Sequence, residues 1–411
     1  FAQTPDLNFR WNNGRPTQGA EGRTMKLADR MSRLGTESAF EVLAQAKALE
    51  AQGKKIVHME IGEPDFDTPA HIGEAAYRAI QDGYTHYGPS AGLREHNQAV
   101  ADYFNNRYGL DYGVENIVVA PGAKPFLFFA ILALAGEGEE VIYPNPGFPV
   151  YESVAEFAGA KAVPLPLLEE NDFAFTLEDV ASRVTPKTRL LILNYPHNPT
   201  GGILSRELLE GIARLAIDRD FVVLADEVYS RMVYDGEHYS IAQAPGMKER
   251  TILLDGYSKT FAMTGWRLGF IAAPVLLADA ITRLITNSVS CTASFEQMAG
   301  IAALTGPQDE VHRMVEEFHR RRDFIVKGLN EIKGVSCKNP GGAFYVFPNV
   351  REVPMAPEEL APYLMREAGV ACLPGTSFGE YGKGHLRFSY AVSHEEIEEA
   401  LTNMDRAINN I

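Results

Sequence analysis

Short apolar runs separated by helical spacings dominate the middle of the chain. The runs are rich in β-branched residues, do not alternate with polar ones, and lie at 117–119, 140–143, 160–165, 190–193, 221–224, 251–254 and 268–272. Strands with this pattern are usually buried on both faces, as in parallel sheets covered by helices. Helical patterns such as 205–219 lie between the runs, so the sequence predicts an α/β fold with a mostly parallel central sheet sandwiched by helices.

The N-terminal part has a different pattern. Residues 1–24 are rich in Asn, Gly, Gln and Arg with little apolar periodicity, which predicts a flexible extension. Apolar residues at helical spacing begin near Leu27 and continue to Leu49, which predicts a helix that ends near 52–53. A short strand is predicted over 56–61.

Beyond about residue 310 the pattern changes again. Helices are predicted at 310–332, 357–368 and 394–408, with short strands at 343–347 and 385–389 between them. This mixture predicts a smaller α+β domain. We therefore expect a large domain over 64–305 and a small domain formed by 25–63 and 306–411.

Composition limits the class of protein and partner. The chain has 411 residues, of which 45% are hydrophobic and 22% charged, as in globular proteins of one or two domains. A net charge of -16 disfavours nucleic acid as a partner, and no apolar run approaches the ~18 residues that cross a membrane. Three separated cysteines favour a reducing cytoplasm and argue against a disulfide framework or a metal site.

One lysine stands in a polar turn that suits a covalent cofactor. Lys259 follows Ser258, and Arg267 comes shortly after them. A lysine amine can form a Schiff base with an aldehyde, and hydroxyl and guanidinium groups suit a phosphate. The segment closely resembles the lysine motif of the fold-type-I pyridoxal-phosphate enzymes, aminotransferase class I and II. The resemblance implies that pyridoxal 5'-phosphate is bound to Lys259 and that Ser258 and Arg267 contact its phosphate.

A carboxylate ends the apolar run at 221–225. Asp226 at the carboxyl end of a parallel strand would point into the cleft where such sheets bind ligands, although it could equally cap the next helix. The resemblance implies that Asp226 bonds the pyridine nitrogen of the cofactor. It also implies that Tyr229 bonds the phenolic oxygen.

Two loops after predicted strands supply further candidates. Asn198 lies in a Pro/Gly/Asn turn, and the resemblance implies that it bonds the phenolic oxygen and helps to hold the substrate carboxylate. Gly122, Ala123 and Lys124 open a predicted helix, where backbone N–H groups can approach a phosphate. The resemblance makes this turn the phosphate loop. Lys124 matches the branch in which a lysine assists acidic substrates, but a role as a surface lysine stays open.

Three other positions depend on the resemblance. It implies that Phe148 stacks on the pyridine ring, with core packing as the alternative. Tyr87 matches a tyrosine that reaches the cofactor phosphate of a second subunit, which implies a homodimer with a shared active site. Local packing of Tyr87 stays open. Gly256 stands where many relatives have a phosphate-binding serine, so phosphate binding depends more on the other residues.

The substrate is implied to bind at the small domain. Arg387 lies in the predicted strand at 385–389 and matches the arginine that grips the α-carboxylate, a group that a guanidinium binds in bidentate fashion. A purely structural arginine is the alternative. Ile61 and Gly62 resemble the mobile lid over the substrate.

Together the motifs imply a PLP-dependent aminotransferase of the bacterial aspartate aminotransferase-like branch. It would move an amino group from an L-amino acid, aspartate or glutamate being favoured by Lys124, to a 2-oxo acid by a ping-pong mechanism with Lys259 as acid and base. A carbon–sulfur lyase or an aminocyclopropane-carboxylate-synthase-like enzyme is the alternative, because the cofactor residues are shared. An effector module of a transcription regulator is disfavoured, since the segment before the fold is too short for a DNA-binding domain and the chain is acidic.

Overall fold

The computed structural model describes residues 26–411, so the extension expected over 1–24 lies outside the described residues. The strands are β1 (Val57–His58), β2 (Ile117–Ala120), β3 (Glu140–Asn145), β4 (Lys161–Pro166), β5 (Thr188–Asn194), β6 (Val222–Asp226), β7 (Thr251–Gly256), β8 (Gly269–Ala272), β9 (Tyr345–Val346), β10 (Val370–Ala371), β11 (Leu373–Pro374) and β12 (Leu386–Ser389). The helices are α1 (Ser38–Glu50), α2 (Ala70–Gln81), α3 (Arg94–Tyr108), α4 (Lys124–Leu134), α5 (Val150–Ala158), α6 (Leu177–Ala181), α7 (Arg206–Arg219), α8 (Tyr257–Thr260), α9 (Val275–Thr286), α10 (Ser294–Thr305), α11 (Asp309–Glu331), α12 (Pro357–Glu367) and α13 (His394–Ile408). Within this described part, no helix is long and apolar enough to cross a membrane.

A seven-stranded sheet in the order β2–β8–β7–β6–β5–β3–β4 forms the centre of the fold. Strands β7, β6, β5, β3 and β4 are parallel, whereas β8 runs antiparallel to both of its neighbours. Alternate residues enter opposite cores: Leu191 and Leu193 lie in one, Leu190 and Ile192 in the other. Burial on both faces explains why the apolar runs lack polar alternation, and the predicted α/β fold is confirmed.

The carboxyl ends of the central strands bring polar residues to one edge of the sheet. Asn194 ends β5 and pairs in register with Asp226 at the end of β6, and Gly256 ends the next strand, β7. Ligands of open α/β sheets bind at this edge, because the side chains after the strands converge there. The short helix α8 follows directly and carries Lys259.

A separate core joins the N-terminal and C-terminal parts of the chain. Val57 and Met59 pack in it with residues of α11, α12, α13 and β12. Strand β1 pairs parallel with β10, and β11–β12–β9 form an antiparallel sheet. Helix α1 packs on this region through Ala46, which contacts Ile56, Met365 and Ala371. Short strands with helices make this the smaller α+β part of the fold.

The helix predicted to begin near Leu27 is wrong in its first part. A 3-10 turn spans Asp29–Arg33, and α1 begins only at Ser38. The Arg33 Nε donates to the carbonyl of Glu156 at 2.8 Å, and the Gly35 N–H donates to the Ser153 Oγ at 2.8 Å. These bonds tie the segment to α5 in a conformation that is not α-helical.

The strand predicted over 56–61 is shorter in the structure. Only Val57–His58 forms a paired strand, β1. Beyond this strand the Ser389 N–H donates to the Met59 carbonyl at 2.7 Å. The Met59 N–H donates to the Ala371 carbonyl at 3.1 Å. These bonds lead Ile61 and Gly62 towards the carboxyl edge of the large sheet.

Candidate active site

A cavity of about 520 Å³ opens at this edge and is also lined by residues of the C-terminal part. Every predicted site residue lines it except Gly122 and Tyr87; those that do are Ile61, Gly62, Ala123, Lys124, Phe148, Asn198, Asp226, Tyr229, Ser258, Lys259, Arg267 and Arg387. The sequence prediction missed several other lining residues, among them Glu37, Phe40, Tyr151, Asn194 and Tyr345. The elements around the cavity therefore bring together residues that are far apart along the chain.

Asp226 lines the cavity and has one buried carboxylate oxygen without a partner among residues 26–411. Tyr151 on α5 donates a hydrogen bond to its Oδ2 at 2.6 Å. Burial raises the pKa of Asp226 to about 6, although this hydrogen bond acts in the opposite direction, so the group is ionised at neutral pH. The buried Oδ1 has no hydrogen-bond partner anywhere in residues 26–411. Such an oxygen suits a protonated ring nitrogen, which would complete its hydrogen bonding.

Asn194 holds the turn that carries Asn198. Its Oδ1 accepts from the backbone N–H of Asn198 at 2.9 Å, and its Nδ2 donates to the carbonyl of Asp226 at 3.1 Å. The Asn198 side-chain oxygen accepts from Arg387 Nη1 at 3.4 Å. The turn after β5 is thus tied both to β6 and to the arginine of β12.

Tyr229 is paired with a tyrosine that the sequence prediction missed. The hydroxyls of Tyr229 and Tyr345 lie 2.8 Å apart, and burial raises the pKa of each above its ordinary value. Both hydroxyls are therefore neutral. Since one donates to the other, the second proton remains available for an acceptor in the cavity.

Lys259 lies under the segment predicted to act as a lid. Its Nζ donates to the carbonyl of Gly62, where a side chain would overlap the Tyr345 hydroxyl, so the segment at Gly62 passes closely over Lys259. Burial lowers the pKa of the Lys259 amine to about 8. The nearby carboxylate of Glu63 acts to raise this pKa, whereas the cationic Arg387 lowers it further. The neutral amine that a nucleophile or base requires is therefore accessible near neutral pH.

The turn after β2 meets Arg267 at one corner of the site. Gly122 has φ +95°, and a Cβ there would overlap the Arg267 guanidinium, so only glycine allows the close approach. The Nη1 of Arg267 donates to the Thr264 carbonyl at 2.7 Å. Gly256 lies nearby, but a Cβ on it would meet Ala123 Cβ only at 3.5 Å, an ordinary contact. A Cβ would therefore fit at Gly256 without a clash.

Lys124 begins α4 at the outer wall of the cavity. Its Nζ forms an ion pair with Glu37 and lies 5.2 Å from the ring centroid of Phe148 and 6.0 Å from that of Phe40. Phe148 packs edge-on against Tyr151, with centroids 5.9 Å apart. Phe148 therefore contacts both Tyr151, the residue that bonds Asp226, and the ammonium of Lys124.

Arg387 enters the site from the C-terminal sheet. Its Nη2 donates to the Glu60 carbonyl, and its guanidinium carbon lies 4.7 Å from the ring centroid of Tyr345 and 4.9 Å from that of Phe378. Burial lowers its pKa, yet arginine remains protonated in proteins. The aromatic rings and the carbonyl hold a charged fork at the cavity wall, which suits a carboxylate.

Tyr87 lies apart from these residues. Its side chain is 92% exposed and does not line the cavity. Its role towards a second subunit stays a prediction.

Comparison with known proteins identifies the family. The model of Aminotransferase class I and II matches residues 54–404. The chain belongs to this family. An aspartate aminotransferase of Pyrococcus horikoshii is 40% identical over 392 residues, which are 94% of this chain and 98% of that protein. Aromatic-amino-acid aminotransferase 2 of Thermococcus litoralis is 39% identical over 388 residues, 93% of this chain and 98% of that one.

Solved structures agree with this assignment. The aspartate aminotransferase from Thermus thermophilus with maleate has a TM-score of 0.90 and 36% identity, and the match covers 93% of this chain and 100% of that one. The predicted fold-type-I architecture and the predicted PLP-dependent aminotransferase are thus confirmed. The enzyme moves an amino group between an amino acid and a 2-oxo acid, and the lyase or synthase alternative is not favoured.

The residues present fit pyridoxal 5'-phosphate, the cofactor of this family. Asp226, whose Oδ1 has no hydrogen-bond partner within residues 26–411, lines the same cavity as Lys259, whose amine has a lowered pKa. Arg267 and the turn at Gly122 lie at another part of the site, where a phosphate would find a guanidinium and backbone N–H groups. The donors and acceptors thus match a protonated ring nitrogen, an aldehyde and a phosphate.

Replacing Tyr151 with phenylalanine is expected to lower kcat about threefold at pH 6.5 and to move the acidic limb of the kcat–pH profile up by about one unit. The hydrogen bond from Tyr151 lowers the pKa of Asp226, so its loss raises that pKa from about 6 and leaves less carboxylate near neutral pH. The pH profile of turnover measures the effect. Tyr143→Phe is the control, since this buried tyrosine does not line the cavity; an unmoved limb in Tyr151→Phe would contradict the prediction.

Proposed function

We propose that the enzyme transfers the amino group of an acidic L-amino acid, aspartate or glutamate, to a 2-oxo acid. The observation that carries this proposal is the presence of two cationic side chains, Arg387 and Lys124, on the wall of one cavity. Both also contribute to the lowered pKa of Lys259, so both lie near its amine. A substrate with two carboxylates would meet one cation for each. The Pyrococcus horikoshii relative, an aspartate aminotransferase, supports this substrate class.

The predicted residues would hold the cofactor by groups of matching chemistry. Pyridoxal 5'-phosphate, when bound, supplies the electron sink that makes the Cα–H of an amino acid acidic. The Asp226 Oδ1 would accept from the pyridine nitrogen, and Asn198 and Tyr229 would bond the phenolic oxygen. The phosphate would contact Ser258, Arg267 and the backbone of Gly122, Ala123 and Lys124, and Phe148 would lie against the ring.

The residues proposed to bind the substrate would position it next to Lys259. Arg387, with Asn198 bonded to it, would bind the α-carboxylate and so orient the Cα–H bond. The Lys259 Nζ would take the Cα proton and return it, a role that its pKa of about 8 supports. Ile61 and Gly62 would exclude water by covering the site, as the contact of Gly62 with Lys259 supports.

We also propose that two copies of the chain form a homodimer in which Tyr87 reaches the partner's cofactor phosphate. The 92% exposure of Tyr87 supports this, because a large ring in water favours burial at an interface. The division into 64–305, and 25–63 with 306–411, is supported by the core that joins Val57 to the C-terminal helices. Three free cysteines support a cytoplasmic location.

A panel of amino acids added singly to the cofactor-loaded enzyme tests the substrate class. We expect aspartate or glutamate to bleach the visible absorption of the bound cofactor with one 2-oxo acid formed per site. Their kcat/KM in steady state should exceed that of alanine by about 100-fold, the worth of one charge-assisted contact. Faster reaction with alanine or phenylalanine would contradict the acidic class. Recovery of the absorption while ammonia accumulates would contradict amino-group transfer itself.

A further inference from the structure

Lys124 has a partner from its own chain. Its Nζ forms an ion pair with a carboxylate oxygen of Glu37, and both residues line the cavity. The Glu37 side chain is 20% exposed and that of Lys124 44%, so the pair lies at the boundary between cavity and solvent. The rings of Phe148 and Phe40 flank the ammonium at 5.2 and 6.0 Å. The cation proposed for the second carboxylate is therefore already engaged.

We propose that Glu37 is a specificity-determining residue that occupies Lys124 until a dicarboxylic substrate replaces it. The inference rests on the proposed function, because it takes Lys124 as the group that binds the second carboxylate. An acidic substrate then exchanges one carboxylate for another at the same ammonium. A substrate with an uncharged side chain leaves the Glu37–Lys124 pair intact.

The exchange would let one cavity accept both acidic and uncharged side chains. An unpaired ammonium beside an apolar side chain would lose hydration without compensation, which is unfavourable. Paired with Glu37, Lys124 has its charge balanced, and Phe40, Phe148 and Ile61 offer apolar surface to an uncharged side chain.

The state in which Glu37 is displaced from Lys124 is also accessible. Glu37 precedes α1 and makes no hydrogen bond other than the one to Lys124 among the side-chain bonds of residues 26–411. Once displaced, its carboxylate can turn to solvent at small cost, since exposed ion pairs contribute little. The pair thus lowers affinity for acidic substrates and, in return, permits uncharged ones, which is specificity by competition.

The exchange can be measured on the cofactor-loaded enzyme through the inhibition constants of unreactive acids that compete with the amino donor. Succinate carries two carboxylates, and 3-phenylpropionate carries one with an aromatic side chain. We expect Glu37→Gln to lower the inhibition constant of succinate about fivefold, because Lys124 is released, and to leave that of 3-phenylpropionate within about twofold. Glu41→Gln removes the same charge from an exposed site on α1 that does not line the cavity, and should change neither constant.

A double variant separates competition for Lys124 from simple repulsion. Lys124→Gln alone should raise the succinate constant about tenfold or more. Adding Glu37→Gln to it should then bring little gain, because there is no ammonium to release. An equal gain in both backgrounds, or no gain with Lys124 present, would overturn the role of Glu37. A wild-type enzyme that neither uses aspartate nor binds succinate would instead overturn the proposed function.

Discussion

Replacing Lys259 with alanine is expected to lower turnover by about 10⁴-fold or more, because in the proposed function one amine would serve as nucleophile and as acid–base group. The amine lies in the cavity with a pKa of about 8, whereas other lysines such as Lys338 lie on the surface. Formation of the 2-oxo acid from aspartate measures the effect, with Lys338→Ala as the control. Near-normal turnover in Lys259→Ala would contradict the assignment of the site.

Stability separates this chemical role from damage to the fold. In the unfolded chain a lysine has a pKa near 10.4, whereas burial lowers that of Lys259 to about 8 in the folded protein. The folded state therefore binds this proton less tightly, which lowers the free energy of unfolding. This destabilisation is greatest below pH 8 and disappears as the pH rises past about 10.4. We expect cofactor-free Lys259→Met, which keeps the apolar stem, to be more stable than wild type by roughly 1–3 kcal/mol at pH 7. Urea unfolding at pH 7 and pH 10 should show this advantage shrinking; a less stable variant at pH 7 would show that the amine is not desolvated.

The large sheet could be predicted from sequence because its strands are short, apolar and buried on both faces. The predicted run at 190–193 lies within β5, and the run at 221–224 overlaps β6 from Val222 onwards. Asp226 follows from the same reasoning, since its position at a strand end determines where it lies. A site residue can therefore be predicted from sequence when its place depends on the strand that directly precedes it.

Residues that act through contacts between distant segments could not be predicted. Tyr151 bonds Asp226, 75 positions away in sequence, and Tyr345 bonds Tyr229 across 116 positions. No periodicity marks either tyrosine, although Tyr151 lies about one helical turn after Phe148, a candidate in the sequence. The Lys124–Glu37 pair joins two segments in the same way.

The incorrect helix near Leu27 has a related cause. Apolar spacing alone favours continuation of α1 towards the N-terminus, but Gly35 and Arg33 bond to α5 instead. Tertiary hydrogen bonds override a weak local preference there. The same segment leads into Glu37, so the error also concealed a residue of the cavity wall.

Replacing Arg387 with glutamine is expected to lower kcat/KM for aspartate by about 10³-fold, because two charge-assisted hydrogen bonds to the α-carboxylate would be lost. The loss should appear in both KM and kcat, since an unanchored substrate no longer presents its Cα–H to Lys259. Binding of the cofactor should be retained, because Asp226 and Arg267 are unchanged. Steady-state kinetics and the visible absorption of the cofactor measure the two effects separately.

Two further variants show whether geometry or charge at Arg387 matters. Arg387→Lys keeps the charge but loses the planar fork, so we expect it to recover only part of the activity. Arg322→Gln removes another buried arginine, one bonded to Asp235 and outside the cavity, and should lower stability while leaving KM nearly unchanged. If Arg387→Gln kept a KM within about threefold of wild type, the contact with the α-carboxylate would belong to another residue, and the guanidinium between Tyr345 and Phe378 would serve packing alone.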